Sequence, residues 1–128
     1  METLKKETFV VVDDDSMMRD MLKLILRGEG YSVVGEAGNG ADAITKCERF
    51  QPDVVLLDIN MPLMDGIHAI DEIRRVSIKT MIVMVSADAT MDKVSGAIKR
   101  GASGFIVKPL NAASVLDRIT SLLRTRKV

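Results

Sequence analysis

Asp13, Asp14, Asp58, Ser86 and Lys108 all stand at the ends of short apolar runs. The runs are Phe9-Val10-Val11-Val12, Val54-Val55-Leu56-Leu57, Met81-Ile82-Val83-Met84-Val85 and Phe105-Ile106-Val107. Runs of this length and composition read as strands covered on both faces. In an open α/β sheet, ligand chemistry gathers in the crevice outside the carboxyl ends of parallel strands. Three carboxylates, one hydroxyl and one ammonium, far apart in sequence, would then meet in one small cleft. That is the raw material for a phosphorylatable aspartate.

The acids set the first constraint. Three like charges in a cleft repel one another unless a cation joins them. Magnesium suits such a set, because it takes oxygen ligands and works with one or two carboxylates plus phosphate oxygens. Zinc or iron would call for histidine or cysteine, which these motifs lack. Asp13-Asp14-Asp15 taken alone could equally be dipole partners for a helix N-terminus. A carboxylate can attack phosphorus and form an acyl phosphate. Lys108 can neutralise charge on the transferring group, and the Ser86 hydroxyl can donate to one of its oxygens. Each alone is unremarkable: a solvated strand end, and a turn residue or cap.

The elements that must position these groups alternate along the chain. Met18, Met21, Leu22, Ile25 and Leu26 form one apolar stripe of a helix, with Ser16 as its expected N-cap and Gly28 as its stop. Tyr31–Glu36 reads as the second strand, and Ala41–Phe50 as the second helix after the Gly38-Asn39-Gly40 turn. Ile67, Ile70 and Ile73 mark the third helix. Thr90 is expected to cap a fourth, with Met91, Val94, Ala97 and Ile98 inward and Gly101 at its end. Asn111 is expected to cap a fifth, burying Val115, Leu116, Ile119, Leu122 and Leu123. Five strand-helix units with apolar strands predict a doubly wound parallel sheet with right-handed crossovers.

The 128 residues suffice for one domain, read as a core from about 8 to 124. The 18 basic and 18 acidic residues balance, which argues against non-specific nucleic-acid binding. Arg124, Arg126 and Lys127 read as a solvated last helical turn. The single cysteine, Cys47, excludes an intramolecular disulfide and reads as a core residue. Met1–Thr8 is polar, and no apolar run is long enough for a signal peptide or a membrane span, so a cytoplasmic protein is expected.

Four motifs carry a family likeness. Val11-Val12-Asp13-Asp14-Asp15-Ser16, Asp58-Ile59-Asn60-Met61-Pro62-Leu63-Met64-Asp65-Gly66, Val85-Ser86-Ala87 and Gly104-Phe105-Ile106-Val107-Lys108-Pro109 resemble, as an ordered set, the receiver domain of two-component response regulators. The likeness spans about Thr8 to Arg124 and is nearest the stand-alone, CheY-like chemotaxis type. It implies a flavodoxin-like strand order, 2-1-3-4-5. It implies Asp58 as phosphoacceptor, a histidine kinase as phosphodonor, and Mg2+ held by Asp13, Asp14, Asp58 and the Asn60 carbonyl. Lys108 would pair with the phosphoryl group after a cis Lys108-Pro109 bond. Ser86 and Phe105 would act as the switch, remodelling the surface of helix four, strand five and helix five for an output protein such as a flagellar motor switch component. The chain would then be no enzyme toward external substrates, catalysing only phosphorylation and dephosphorylation of its own Asp58.

The sequence departs from the family pattern in places. Phe105 lacks the hydroxyl of the commoner tyrosine, and Ser86 stands where threonine is more frequent. Asp15 adds an acid beside the pocket. Other readings fare worse. A haloacid-dehalogenase-like hydrolase places a second aspartate where Asn60 stands. A flavodoxin-like flavin carrier needs a Ser/Thr-rich loop where Asp13-Asp14-Asp15 would repel phosphate. A receiver excised from a longer transcription regulator remains open. Gly35–Gly40 lacks the lysine of a phosphate loop. His68 is expected to face solvent, and most of the nine methionines are expected to pack, with Met61 and Met64 near the acceptor loop.

Overall fold

The computed structural model describes residues 7–59, 66–87 and 90–126. Five strands alternate with five helices: β1 (Thr8–Val12), α1 (Ser16–Gly28), β2 (Ser32–Ala37), α2 (Gly40–Phe50), β3 (Val54–Leu57), α3 (Gly66–Val76), β4 (Met81–Ser86), α4 (Met91–Arg100), β5 (Gly104–Val107) and α5 (Ala112–Arg126). The strands are parallel in the order β2-β1-β3-β4-β5, the doubly wound sheet expected from the alternation and the family likeness.

Each strand of this sheet carries side chains to both faces, so both must be apolar. Phe9, Val11, Leu56, Val83 and Val85 pack with Leu22 and Leu26 of α1 and Val115, Ile119 and Leu123 of α5. Val10, Val12, Val55, Leu57, Ile82 and Met84 pack with Ala43 and Cys47 of α2, Ile70 and Ile73 of α3 and Ala97 of α4. A fully buried Leu or Ile contributes roughly 1.5–3 kcal/mol each, which makes these two layers the principal source of stability. Cys47 lies in the second layer, as expected for a core residue, and burial pushes its thiol up to about 12.

The β1–β2 ladder is not uniform. Phe9 pairs with Val33, but Val10 pairs with Gly35, so β2 carries one extra residue at this point. A bulge of this kind spends one step of the side-chain alternation. Val34 packs against the α2–α3 layer, and a Cβ on Gly35 would point to Phe50 and Lys46 of α2. Glu36 is thereby turned to the opposite face, where Arg19 and Lys23 of α1 meet it.

Several local expectations are corrected. Asp15, not Ser16, caps α1, its carboxylate accepting from the Met17 N–H at 2.9 Å. α1 runs through Gly28 and ends on Gly30, whose φ of 91° permits the closing bonds Gly30 N–H to Arg27 O and Tyr31 N–H to Leu26 O. Met21 is exposed, because a helix lying on a sheet buries a narrower stripe than its apolar periodicity allows. The same holds more strongly for α4: Ala97 is buried and Val94 half-buried, but Met91 is 82% exposed and Ile98 also faces out. Thr90 and Asn111 cap α4 and α5 as read from the sequence. His68 is exposed. No helix among the described residues is long and apolar enough to cross a membrane.

Candidate functional site

Asp13 and Asp58 leave neighbouring strands at the same level. The Asp58 N–H donates to the Val12 carbonyl at 3.1 Å, and the Asp13 N–H donates to the Ala37 carbonyl at 3.1 Å. These bonds extend the ladders by one residue, so both carboxylates emerge at the carboxyl edge of the sheet. β4 and β5 do the same from the other side: the Lys108 N–H donates to the Ser86 carbonyl at 3.0 Å, and Ser86 pairs with Val107. The Lys108-Pro109 peptide is cis.

The structure thus brings Asp13, Asp14, Asp58, Ser86 and Lys108 to one end of the sheet. Asp13 is 1% exposed and Asp58 5%, while Asp14 is open to solvent. The carboxylates of all three offer oxygens within 4.8 Å of one another. The Lys108 ammonium lies 2.8 Å from Asp13 Oδ2 and 3.7 Å from Asp58 Oδ2. Burial pulls the Lys108 ammonium down, but the hydrogen bond to Asp13 and the charges of Asp58, Asp13 and Asp14 outweigh it, and the net shift is upward. Lys108 therefore stays charged at neutral pH. Ser86 is fully buried beneath the cleft.

Asp13 is held on every side. Its Oδ1 accepts from the Asp15 N–H at 3.0 Å, and its backbone carbonyl accepts from Arg19 Nη1 at 2.6 Å. Arg19 is the residue that sequence reading missed. Its signal was an arginine one turn into α1, where the helix dipole disfavours a cation. Phe105 is half-buried against the α2–α3–α4 layer. Asn60, Met61 and Met64 lie outside the described residues, as does Lys127.

The donor set tests well for a hard divalent cation. The one cluster of acid, imidazole or thiol ligands among the described residues is Asp13, Asp14 and Asp58, all carboxylate. Oxygen-only ligation fits magnesium and disfavours softer metals.

Known proteins match this arrangement over most of the chain. Residues 9–120 match the family described as the response regulator receiver domain. The chain is 46% identical over 114 residues to the chemotaxis protein CheY of Bacillus subtilis, covering 89% of this chain and 95% of that protein. It is 42% identical to CheY of Thermotoga maritima, over 88% and 94%. It is also 37% identical to the nitrate/nitrite response regulator NarL of Escherichia coli, over 93% of this chain but 56% of that one. Among solved structures, a chain of the CheX-CheY-BeF3-Mg2+ complex from Borrelia burgdorferi superimposes with a TM-score of 0.88 at 34% identity, covering 91% of this chain and 89% of that chain. Fold, motif order and similarity agree, and the chain belongs to the receiver domains of two-component response regulators, of the CheY-like kind.

Proposed function

We propose that the chain is a single receiver domain that accepts a phosphoryl group on Asp58 from a histidine kinase and relays that event through its α4-β5-α5 surface. The observation that carries this reading is one ammonium, Lys108, shared by two buried carboxylates from different strands. Asp58 carries the attack: one carboxylate oxygen bonds to phosphorus, the bond from phosphorus to the donor nitrogen breaks, and the imidazole leaves with its electron pair. Lys108 moves its ammonium from the carboxylates to the incoming phosphoryl oxygens, where it offsets their charge. Asp13, Asp14, Asp58 and the Asn60 backbone carbonyl would hold Mg2+, which when bound neutralises phosphoryl oxygens. The chain then acts on no external substrate and catalyses only the gain and loss of its own phosphoryl group.

Phosphorylation adds roughly −1.5 to −2 charges and strong acceptor oxygens beside Ser86. The Ser86 hydroxyl turns toward them, and Phe105, two residues back along β5 from the Ser86 partner Val107, closes into the space behind β4. Ser86 and Phe105 thereby bias the α4-β5-α5 surface. Met91, Ile98 and Val107 are exposed on α4 and β5, an apolar supply for a partner. The similarity to chemotaxis CheY proteins supports an output protein of the flagellar motor switch and a cytoplasmic setting. The NarL similarity supports a second reading, in which the same receiver regulates a longer transcription factor. Nothing in the balanced charge favours direct nucleic-acid contact.

Intact mass after incubation with acetyl phosphate and Mg2+ tests the chemistry. One phosphoryl adduct is expected, absent from Asp58→Asn and from a chelated sample. No adduct on the parent protein would make it a constitutive binding module and withdraw the roles given to Lys108 and Ser86.

A further inference from the structure

We propose that Arg19 is a positioning residue for the acid pocket: it fixes the Asp13–Asp14 peptide and so aims the Asp14 carboxylate. The inference rests on the reading of Asp13, Asp14 and Asp58 as a divalent-cation pocket. Asp14 is exposed and makes no hydrogen bond or ion pair with the described residues, so its own side chain does not anchor it. Its placement depends on the peptide units on either side. On one side the Asp15 N–H is tied to Asp13 Oδ1 at 3.0 Å. On the other, the Asp13 carbonyl takes Arg19 Nη1 at 2.6 Å. A peptide unit is planar, so fixing that oxygen fixes the direction in which the Asp14 N and Cα leave.

Arg19 can do this because it is itself held at two points. Its Nε donates to Glu36 Oε1 at 2.9 Å, while Lys23 takes the other oxygen at 2.7 Å. The two bonds hold the Glu36 carboxyl below its ordinary range, first through Lys23 and then through Arg19. A planar guanidinium spans two acceptors in fixed directions, which an ammonium does not. Outer groups that orient ligands typically change metal affinity without touching the metal. The geometry separates two roles: Arg19 and Lys23 both pair with Glu36, but of these two cations only Arg19 also donates to the Asp13 carbonyl.

Mn2+ is a suitable probe, with the free ion counted by electron paramagnetic resonance. Arg19→Ala is expected to raise the Mn2+ dissociation constant roughly tenfold. Acetyl phosphate labelling of Arg19→Ala should need correspondingly more metal to reach half of its maximal rate. Lys23→Ala, which breaks a Glu36 bridge of the same kind, should change the constant by less than about twofold. Arg19→Lys should bind like Arg19→Ala. Equal weakening in Lys23→Ala, or full binding in Arg19→Lys, would overturn the proposal in favour of bulk charge. An unchanged constant in Arg19→Ala would overturn it outright. If Arg19→Ala does not fold, Glu36→Ala is expected to weaken binding in the same direction by a smaller factor, and parental binding in that variant would refute the role. Failure of the parent protein itself to bind Mn2+ would instead overturn the pocket reading, and the Arg19 role with it.

Discussion

Lys108 lies 2.8 Å from Asp13 and 3.7 Å from Asp58, so the cation rests closer to the acid that is not the proposed acceptor. Both carboxylates are nearly solvent-free, and neither has room to lose its counter-charge cheaply. Lys108→Met is therefore expected to lower stability by about 3–5 kcal/mol in metal-free buffer. Urea unfolding should show a large part of that loss restored by millimolar Mg2+. An equal loss with and without Mg2+ would mean that the lysine and the metal do not share a site.

Asp14 gives the opposite result. It is exposed, sits within the carboxylate cluster, and among the described residues makes no hydrogen bond that would offset the repulsion it adds. Asp14→Ala is expected to stabilise the metal-free protein by about 1 kcal/mol. It should also remove the rise in melting temperature that Mg2+ gives the parent, because a ligand stabilises only through its affinity for the folded state. Thermal scans with and without Mg2+ check both halves.

Gly101 closes α4 with a φ of 115°, and a Cβ there would overlap the Arg74 side chain. Arg74 Nη1 donates to the Arg100 carbonyl at 3.1 Å, so the same contact ties α3 to the end of α4. Gly101→Ala is expected to cost about 1–3 kcal/mol from backbone strain. The double variant Gly101→Ala/Arg74→Ala should recover the part due to overlap but not the part due to φ. Chemical denaturation of the four-member cycle separates the two.

Cys47 is expected to resist thiol reagents at pH 8 in the native state and to react fully in guanidinium. Burial lifts its thiol from the ordinary 9.0 to about 12. The unfolded chain therefore sheds this proton first, and stability falls as pH rises from about 9 toward 12. Cys47→Ala should flatten that alkaline limb, even though it costs stability at neutral pH. A parent protein labelled as fast folded as unfolded would contradict the buried assignment.

The sheet was legible because parallel strands buried on both faces must be apolar throughout, and their alternation with helical periods leaves few topologies. The acids were legible for a related reason, since each interrupts an apolar run where a strand must end. Helix edges were less so. In Asp13-Asp14-Asp15-Ser16 several side chains could cap, and the choice of Asp15 depends on where the ladder releases the chain. Periodicity placed Met91 and Ile98 on an apolar face of α4, but how much of that face touches the sheet is a matter of packing. The pairing of Lys108 with Asp13, and the reach of Arg19 to a backbone oxygen, join residues through space and leave no mark on local pattern.

The extra residue in β2 makes that strand a buffer of chain length. Deleting Val34 would restore strict alternation and leave Glu36 opposite Val11, still on the face of α1. Arg19 and Lys23 would keep their shared acid. A one-residue gap at this point of the sheet's outer strand is therefore electrostatically silent at the wall of the acid pocket, whereas a substitution of Glu36 itself is not.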